Sequence, residues 1–191
     1  MALSINEIKS GVTVLSEGVV YMVVDTQHVK PGKGAAFVRA KLRNMKNSSI
    51  QEKTWRGDEK IEEAFVEERK LQYTYKSGDM YHFMDQETYE EIAIAEDYLG
   101  DKVKFLKDNL EVLGYFYKED TLTINLPNFI EVRITHTEPG IKGDTAKSGT
   151  KPAEIETGAT VQVPLFINEG DLLKIDTRTG EYVERVYERG A

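Results

Sequence analysis

Leu71-Gln72-Tyr73-Thr74-Tyr75, Ser77-Gly78-Asp79 and Met80-Tyr81-His82-Phe83-Met84 spell a strand, a turn and a second strand. Large apolar or aromatic residues recur at every second position in both runs, the period of a pleated strand with one face packed. The glycine-bearing turn between them suits a tight hairpin. Tyr89 to Ile94 supplies a third strand. Glu96 to Asn109 is the one good helix pattern, acidic in its first turn and lysine-bearing towards its end, as the macrodipole favours; the internal Gly100 works against it. Leu110 to Tyr117 and Thr121 to Leu126 follow, parted by Lys118-Glu119-Asp120. Three strands, a helix and two strands is the order of an OB-fold.

Strand signals continue on both sides. Towards the N-terminus, Val12 to Leu15, the turn Glu17-Gly18 and Val19 to Val24 lead to Val29-Lys30-Pro31-Gly32-Lys33-Gly34-Ala35-Ala36-Phe37. There Pro31 stiffens the entry to a turn, and two glycines leave Lys33 uncrowded at its tip. From Phe37 to Arg43 the chain alternates: Val38, Ala40 and Leu42 point one way, and Phe37, Arg39, Lys41 and Arg43 the other. Ile50 to Trp55 reads as a further strand. Towards the C-terminus, Leu126-Pro127-Asn128 reads as a linker. Phe129 to Thr135, Thr160 to Ile167, Leu172 to Asp176 and Tyr182 to Tyr187 read as strands, the last two joined by a hairpin at Asp176-Thr177-Arg178-Thr179-Gly180. Between the first two of these lies a polar stretch, roughly Glu138 to Gly158, predicted as one long loop. The expected fold class is mostly β: an SH3-like barrel over 1–65 carrying the Lys33 loop, a central OB-fold over 66–127 and a C-terminal OB-fold over 128–191.

Composition narrows the function classes. The 191 residues carry a formal charge of −8 and no cysteine, which removes disulfide and thiolate chemistry. No apolar run approaches the roughly 20 residues of a membrane helix, and Met-Ala-Leu-Ser-Ile-Asn-Glu lacks the signature of a signal peptide. A cytoplasmic protein with no membrane partner is expected. The charge is uneven: residues 1–65 balance at +2, 66–128 at −7 and 129–191 at −3. Phosphate contacts are therefore expected in the first third.

Three chemistries compete. A metal site would have to use His28, His82 and His136, whose spacing fits no common ligand pattern, so neither metal nor cofactor is expected. Lys33 as a Schiff-base nucleophile would need desolvation or a neighbouring cation, and a turn tip offers little burial. Taken alone, a turn lysine is most often plain solvent-facing decoration. The stripe Arg39, Lys41 and Arg43, near Lys30, Lys33, Lys46, Lys53 and Arg56, has the two-residue spacing to follow a phosphate backbone. Phe37 stands on the same face. A basic barrel ahead of two OB-folds favours structured RNA as the partner.

Four separated motifs carry a resemblance that spans the chain. They are Pro31 to Phe37, Thr135-His136-Thr137-Glu138-Pro139-Gly140-Ile141-Lys142-Gly143-Asp144-Thr145, Gly158 to Ile167, and Gly170-Asp171 leading through Asp176 to Tyr182 with Arg185 beyond. In this order they resemble the bacterial elongation factor P family. The resemblance implies three β-barrel domains in an L that mimics transfer RNA. It implies a monomeric, non-enzymatic factor that binds ribosomal RNA and proteins of both subunits between the peptidyl and exit sites and relieves stalling at consecutive prolines. It implies that the loop Lys30, Pro31, Gly32, Lys33, Gly34 touches the acceptor end of the peptidyl-tRNA, with Lys33 the target of a lysine-modifying enzyme. It further implies that Gly143, Asp144 and Thr145 approach exit-site messenger RNA and that Tyr182 and Arg185 face RNA. A generic tandem OB-fold RNA-binding protein is the alternative.

Overall fold

A computed structural model describes residues 2–140 and 149–187. Strands dominate: β1 (Ala2–Leu3), β2 (Thr13–Ser16), β3 (Val19–Val29), β4 (Phe37–Asn44), β5 (Ile50–Arg56) and β6 (Ile61–Glu63) form one antiparallel sheet in the order β1-β6-β2-β3-β4-β5. Next come β7 (Val66–Ser77), β8 (Met80–Asp85), β9 (Glu91–Ala95), the short helix α1 (Glu96–Leu99), a 3-10 turn (Gly100–Phe105), β10 (Glu111–Tyr117) and β11 (Asp120–Asn125). Their sheet runs β11-β10-β7-β8-β9. The last sheet, β14-β13-β12-β15-β16, is built from β12 (Phe129–Thr137), β13 (Thr150–Ile155), β14 (Thr160–Pro164), β15 (Leu172–Asp176) and β16 (Glu181–Val186).

The helix is shorter than its pattern predicts. Gly100 takes φ 54° and ψ −136°, angles that end an α-helix, and only the 3-10 turn continues. Beyond it the chain must return to the sheet, where Tyr73 N–H donates to the Leu110 carbonyl and Asn109 N–H to the Tyr73 carbonyl. Burial of Leu106 and Leu110 accompanies that return.

The expected loop over Glu138 to Gly158 is also corrected, because it contains β13. Lys151, Ala153 and Ile155 are buried there in strict alternation, but a lysine and Pro152 conceal the apolar period. Pro152 pairs with Gln162 of β14, while the ladder to β12 ends at Thr137↔Ala153, so its missing N–H is not needed on that side.

The chain divides into two compact units. The first, Met1–Arg69 with Gly114–Ile124, has a core of Ile8, Val14, Val23, Val38, Ala40, Leu42 and Trp55. Each buried Ile, Val or Leu side chain among them contributes about 1.5–3 kcal/mol of transfer free energy. A smaller cluster joins Val20, Met45 and Ala64 to Leu122. Glu17 and Gly18 connect β2 and β3 with φ of 53° and 77°, the handedness that matches strand twist in a two-residue hairpin. The second unit, Lys70–Leu113 with Asn125–Ala191, buries Leu71, Phe83, Ile94 and Val112 in one part and Val132, Ile134, Ile155, Leu173 and Ile175 in another.

Candidate nucleic-acid interface

β3 and β4 position the lysine loop. Their ladder closes at Val29↔Phe37, and every residue from Lys30 to Ala35 beyond it is exposed. The base is firm. Ala36 packs on the core of the first unit, and a Cβ on Gly57 would stand 3.3 Å from the Ala36 carbonyl oxygen. His28, one step before the ladder's end, donates from Nε2 to the Ile8 carbonyl at 3.0 Å.

The tip is open. Only Pro31 Cγ, at 3.8 Å, comes near the Cβ direction of Gly34, and nothing comes within 4 Å at Gly32. The two glycines differ in need: Gly34 has φ +114°, where an L side chain is strained, whereas Gly32 lies outside the left-handed region. Lys33 itself stands in solvent, with no enclosing wall to desolvate the amine.

The basic stripe is less uniform than its own strand suggests. Val38, Ala40 and Leu42 are fully buried and Arg39, Lys41 and Arg43 exposed, as the alternation requires. Cross-strand neighbours then separate the three. Arg39 stands between Gln27 and Thr54, Lys41 between Asp25 and Glu52, and Arg43 between Met22 and the exposed Ile50. Directly opposed residues share a face, so Lys41 is locally offset by two carboxylates. Arg43 lays a guanidinium nitrogen 3.5 Å from Met22 Sδ. Lys53 is engaged too, donating to Ser16 Oγ at 2.6 Å and lying 3.6 Å from Glu17. Among the described residues no ion pair holds Lys30, Lys33, Arg39 or Lys41.

In the second unit Tyr182 and Arg185 come to one face, which a period of two over three residues forbids. Ile175 opposes Tyr182 and Leu173 opposes Arg185, because Val183 is an extra, unpaired residue in β16. Arg185 binds Asp171 at 2.9 Å and covers the Tyr187 ring at 5.3 Å. Tyr182 lines a cleft with Lys102, Phe105, Gln162 and Arg178. Burial pushes its hydroxyl pKa up. Arg178 grips both oxygens of Asp176, at 3.0 and 2.6 Å, and this side-chain pairing draws the Asp176 carboxyl down to about 2.

Gly143, Asp144 and Thr145 lie outside the described residues, but the flanks of their segment carry a device the sequence reading missed. A Cβ on Gly140 would stand 2.3 Å from the Leu165 carbonyl oxygen, and one on Gly149 2.9 Å from Leu165 Cδ1. Beside them Lys151, 6% exposed, donates its ammonium to the Glu138 carbonyl. Thr137 N–H donates to Glu169, which also meets His136 at 2.7 Å. The hydrogen bond from the Thr137 amide, joined by His136 and opposed by burial, leaves the Glu169 carboxyl below its usual range.

Comparison with known proteins places this geometry. Three family models match in series: the elongation factor P KOW-like domain over residues 4–61, the elongation factor P OB domain over 66–124, and elongation factor P, C-terminal, over 130–185. Elongation factor P of Natranaerobius thermophilus is 54% identical over 181 residues, covering 95% of this chain and 96% of the relative. That of Pelotomaculum thermopropionicum is 52% identical over 184 residues, covering 96% and 100%. Among solved structures, eukaryotic translation initiation factor 5A from Methanococcus jannaschii shares the fold with a TM-score of 0.52 at 24% identity, over 66% of this chain and 92% of that one. A translation initiation factor eif-5a family protein from Naegleria fowleri gives 0.54 at 14%, over 66% and 98%. The mostly-β KOW-like and OB architecture, three consecutive models and full-length relatives agree: the chain belongs to the elongation factor P family and is a translation elongation factor.

Proposed function

We propose that this factor binds the ribosome between the peptidyl and exit sites and speeds peptide-bond formation at consecutive prolines, with Lys33 holding the acceptor end of the peptidyl-tRNA. It works as a cytoplasmic monomer of three functional segments, 1–65, 66–127 and 128–191, and has no active site of its own. The ribosome performs the chemistry, and the factor removes the conformational freedom of a poorly placed donor, lowering the entropic part of the barrier. The observation that carries this reading is the tip: a lysine in open solvent, on a loop whose base is packed and whose last glycine holds a conformation closed to other residues. Such a loop delivers a cation into a narrow, phosphate-rich space without a bulky neighbour.

Arg39 is the leading phosphate contact of the barrel face, with Arg43 beside it and Lys41 weakened by Asp25 and Glu52. Gly143, Asp144 and Thr145 meet exit-site messenger RNA, and Tyr182 and Arg185 face RNA from the C-terminal segment. A lysine-modifying enzyme lengthens Lys33. A photo-crosslinking side chain placed at exposed Ala35 tests the placement. On ribosomes stalled at consecutive prolines it labels the acceptor end of the peptidyl-tRNA. Labelling indistinguishable from that of a probe at Glu90 refutes it.

A further inference from the structure

We infer that Phe105, Lys107 and Thr157 form a rigid joint that fixes the C-terminal sheet onto the 70–113 part of the chain, and that they are positioning residues for ribosome engagement. The inference rests on the function proposed above, and its structural half is measurable without it. Three contacts carry it. Thr157 Oγ1, in the turn between β13 and β14, donates to the Lys104 carbonyl at 2.6 Å. Lys107 Nζ donates to the Glu131 carbonyl of β12 at 2.5 Å and lies 3.9 Å from Glu156. The Phe105 ring edge stands 3.4 Å from where a Cβ on Gly180, in the β15–β16 turn, would be.

These contacts reach three different connections or strands of one sheet from a single short segment. Contacts spread over three elements of one sheet oppose rotation between the two parts, whereas the linker Leu126-Pro127-Asn128 alone would leave a hinge. Both hydrogen-bond acceptors are backbone carbonyls, whose positions the secondary structure sets. Phe105 is 8% exposed, so the ring is packed and not merely adjacent. A fourth tie supports them: Thr177 Oγ1 donates to the Pro127 carbonyl at 2.6 Å, holding the linker to β15.

A factor that must meet the ribosome through separated surfaces loses affinity if it must be ordered on binding, although each surface stays intact. Loosening the joint therefore raises the concentration needed for half-maximal stimulation and leaves the plateau unchanged. A change at Lys33 does the reverse, lowering the plateau.

The test uses Lys107→Ala with Thr157→Val, which removes two polar tethers outside the core, and Phe105→Ala as a second variant. The chain has no cysteine, so spin labels go cleanly onto Cys substituted at exposed Ala93 and Glu154. The native sequence gives one narrow distance distribution. The double variant broadens it and raises the half-maximal concentration about three- to tenfold at constant plateau. A distribution of unchanged width in both variants overturns the joint. Broadening with an unchanged half-maximal concentration overturns its role in positioning. If the native factor gives no stimulation at all, the proposed function fails while the distance measurement still reads the joint.

Discussion

Gly34→Ala and Gly32→Ala form a matched pair in which the added methyl group meets no clash in either case, so any difference is a backbone effect. At Gly34 the nearest atom to a new Cβ is Pro31 Cγ at 3.8 Å, an ordinary contact, but φ is +114°. Holding an L residue at such an angle costs about 1–3 kcal/mol. The loop is exposed and tied only at the Val29↔Phe37 end of the ladder, so it escapes the strain by abandoning its native shape. Global stability then falls by no more than this strain, a Tm loss within about 2–4 °C per kcal/mol. The native tip geometry, in contrast, becomes rarer by about 5-fold to 150-fold. Gly32 has no positive φ and nothing within 4 Å, so alanine there removes unfolded-state freedom and stabilises by about 0.4–1 kcal/mol. The assay is single-turnover peptide-bond formation on a message encoding consecutive prolines, at subsaturating factor, beside a thermal melt. Gly34→Ala should lose most of its stimulation with nearly native Tm, and Gly32→Ala should retain it. Equal activity of the two variants refutes the assignment of the tip conformation to Gly34.

Three other perturbations follow from the same geometry. Gly140→Ala forces a Cβ to 2.3 Å from the Leu165 carbonyl oxygen; the backbone must move, so stability drops by about 1–3 kcal/mol, and an unchanged denaturation midpoint contradicts the close approach. Arg39→Glu should weaken ribosome binding more than Lys41→Glu, because Asp25 and Glu52 already offset Lys41. Both losses should shrink as salt rises towards screening conditions, and equal losses would show that the cross-strand acids do not matter. Asp176 has its folded pKa lowered from 3.8 to about 2 by Arg178. Its contribution is thus present above pH 3.8 and lost as pH falls through about 2. The stability deficit of Asp176→Asn should close across that window in denaturation curves taken at stepped pH, and a gap that persists to the bottom of it refutes the pairing.

Patterns confined to one strand were readable from the chain alone. Val38, Ala40 and Leu42 against Arg39, Lys41 and Arg43 is a local period of two, and burial follows it without exception. The order of strands and helix across 71–126 was readable for the same reason, since each element carries its own period. What stayed hidden depends on partners distant in sequence. The neutralising flanks of Lys41 come from β3 and β5, and the Lys53 contact comes from Ser16. The shared face of Tyr182 and Arg185 requires a bulge that no residue type announces. β13 was missed because its inward positions include Lys151, whose charge hides a buried role met by the Glu138 carbonyl. The glycines at 140 and 149 matter for a close approach to Leu165, which only the folded chain brings to them.

The central claim is that the Lys33 amine, not the bulk of the factor, places the donor. The most direct measurement is the rate of proline–proline bond formation at saturating factor, with Lys33→Ala compared with the unaltered protein and ribosome binding measured in parallel. The account predicts native-like binding of the variant with most of the stimulation gone. Full stimulation by Lys33→Ala at saturation would contradict it.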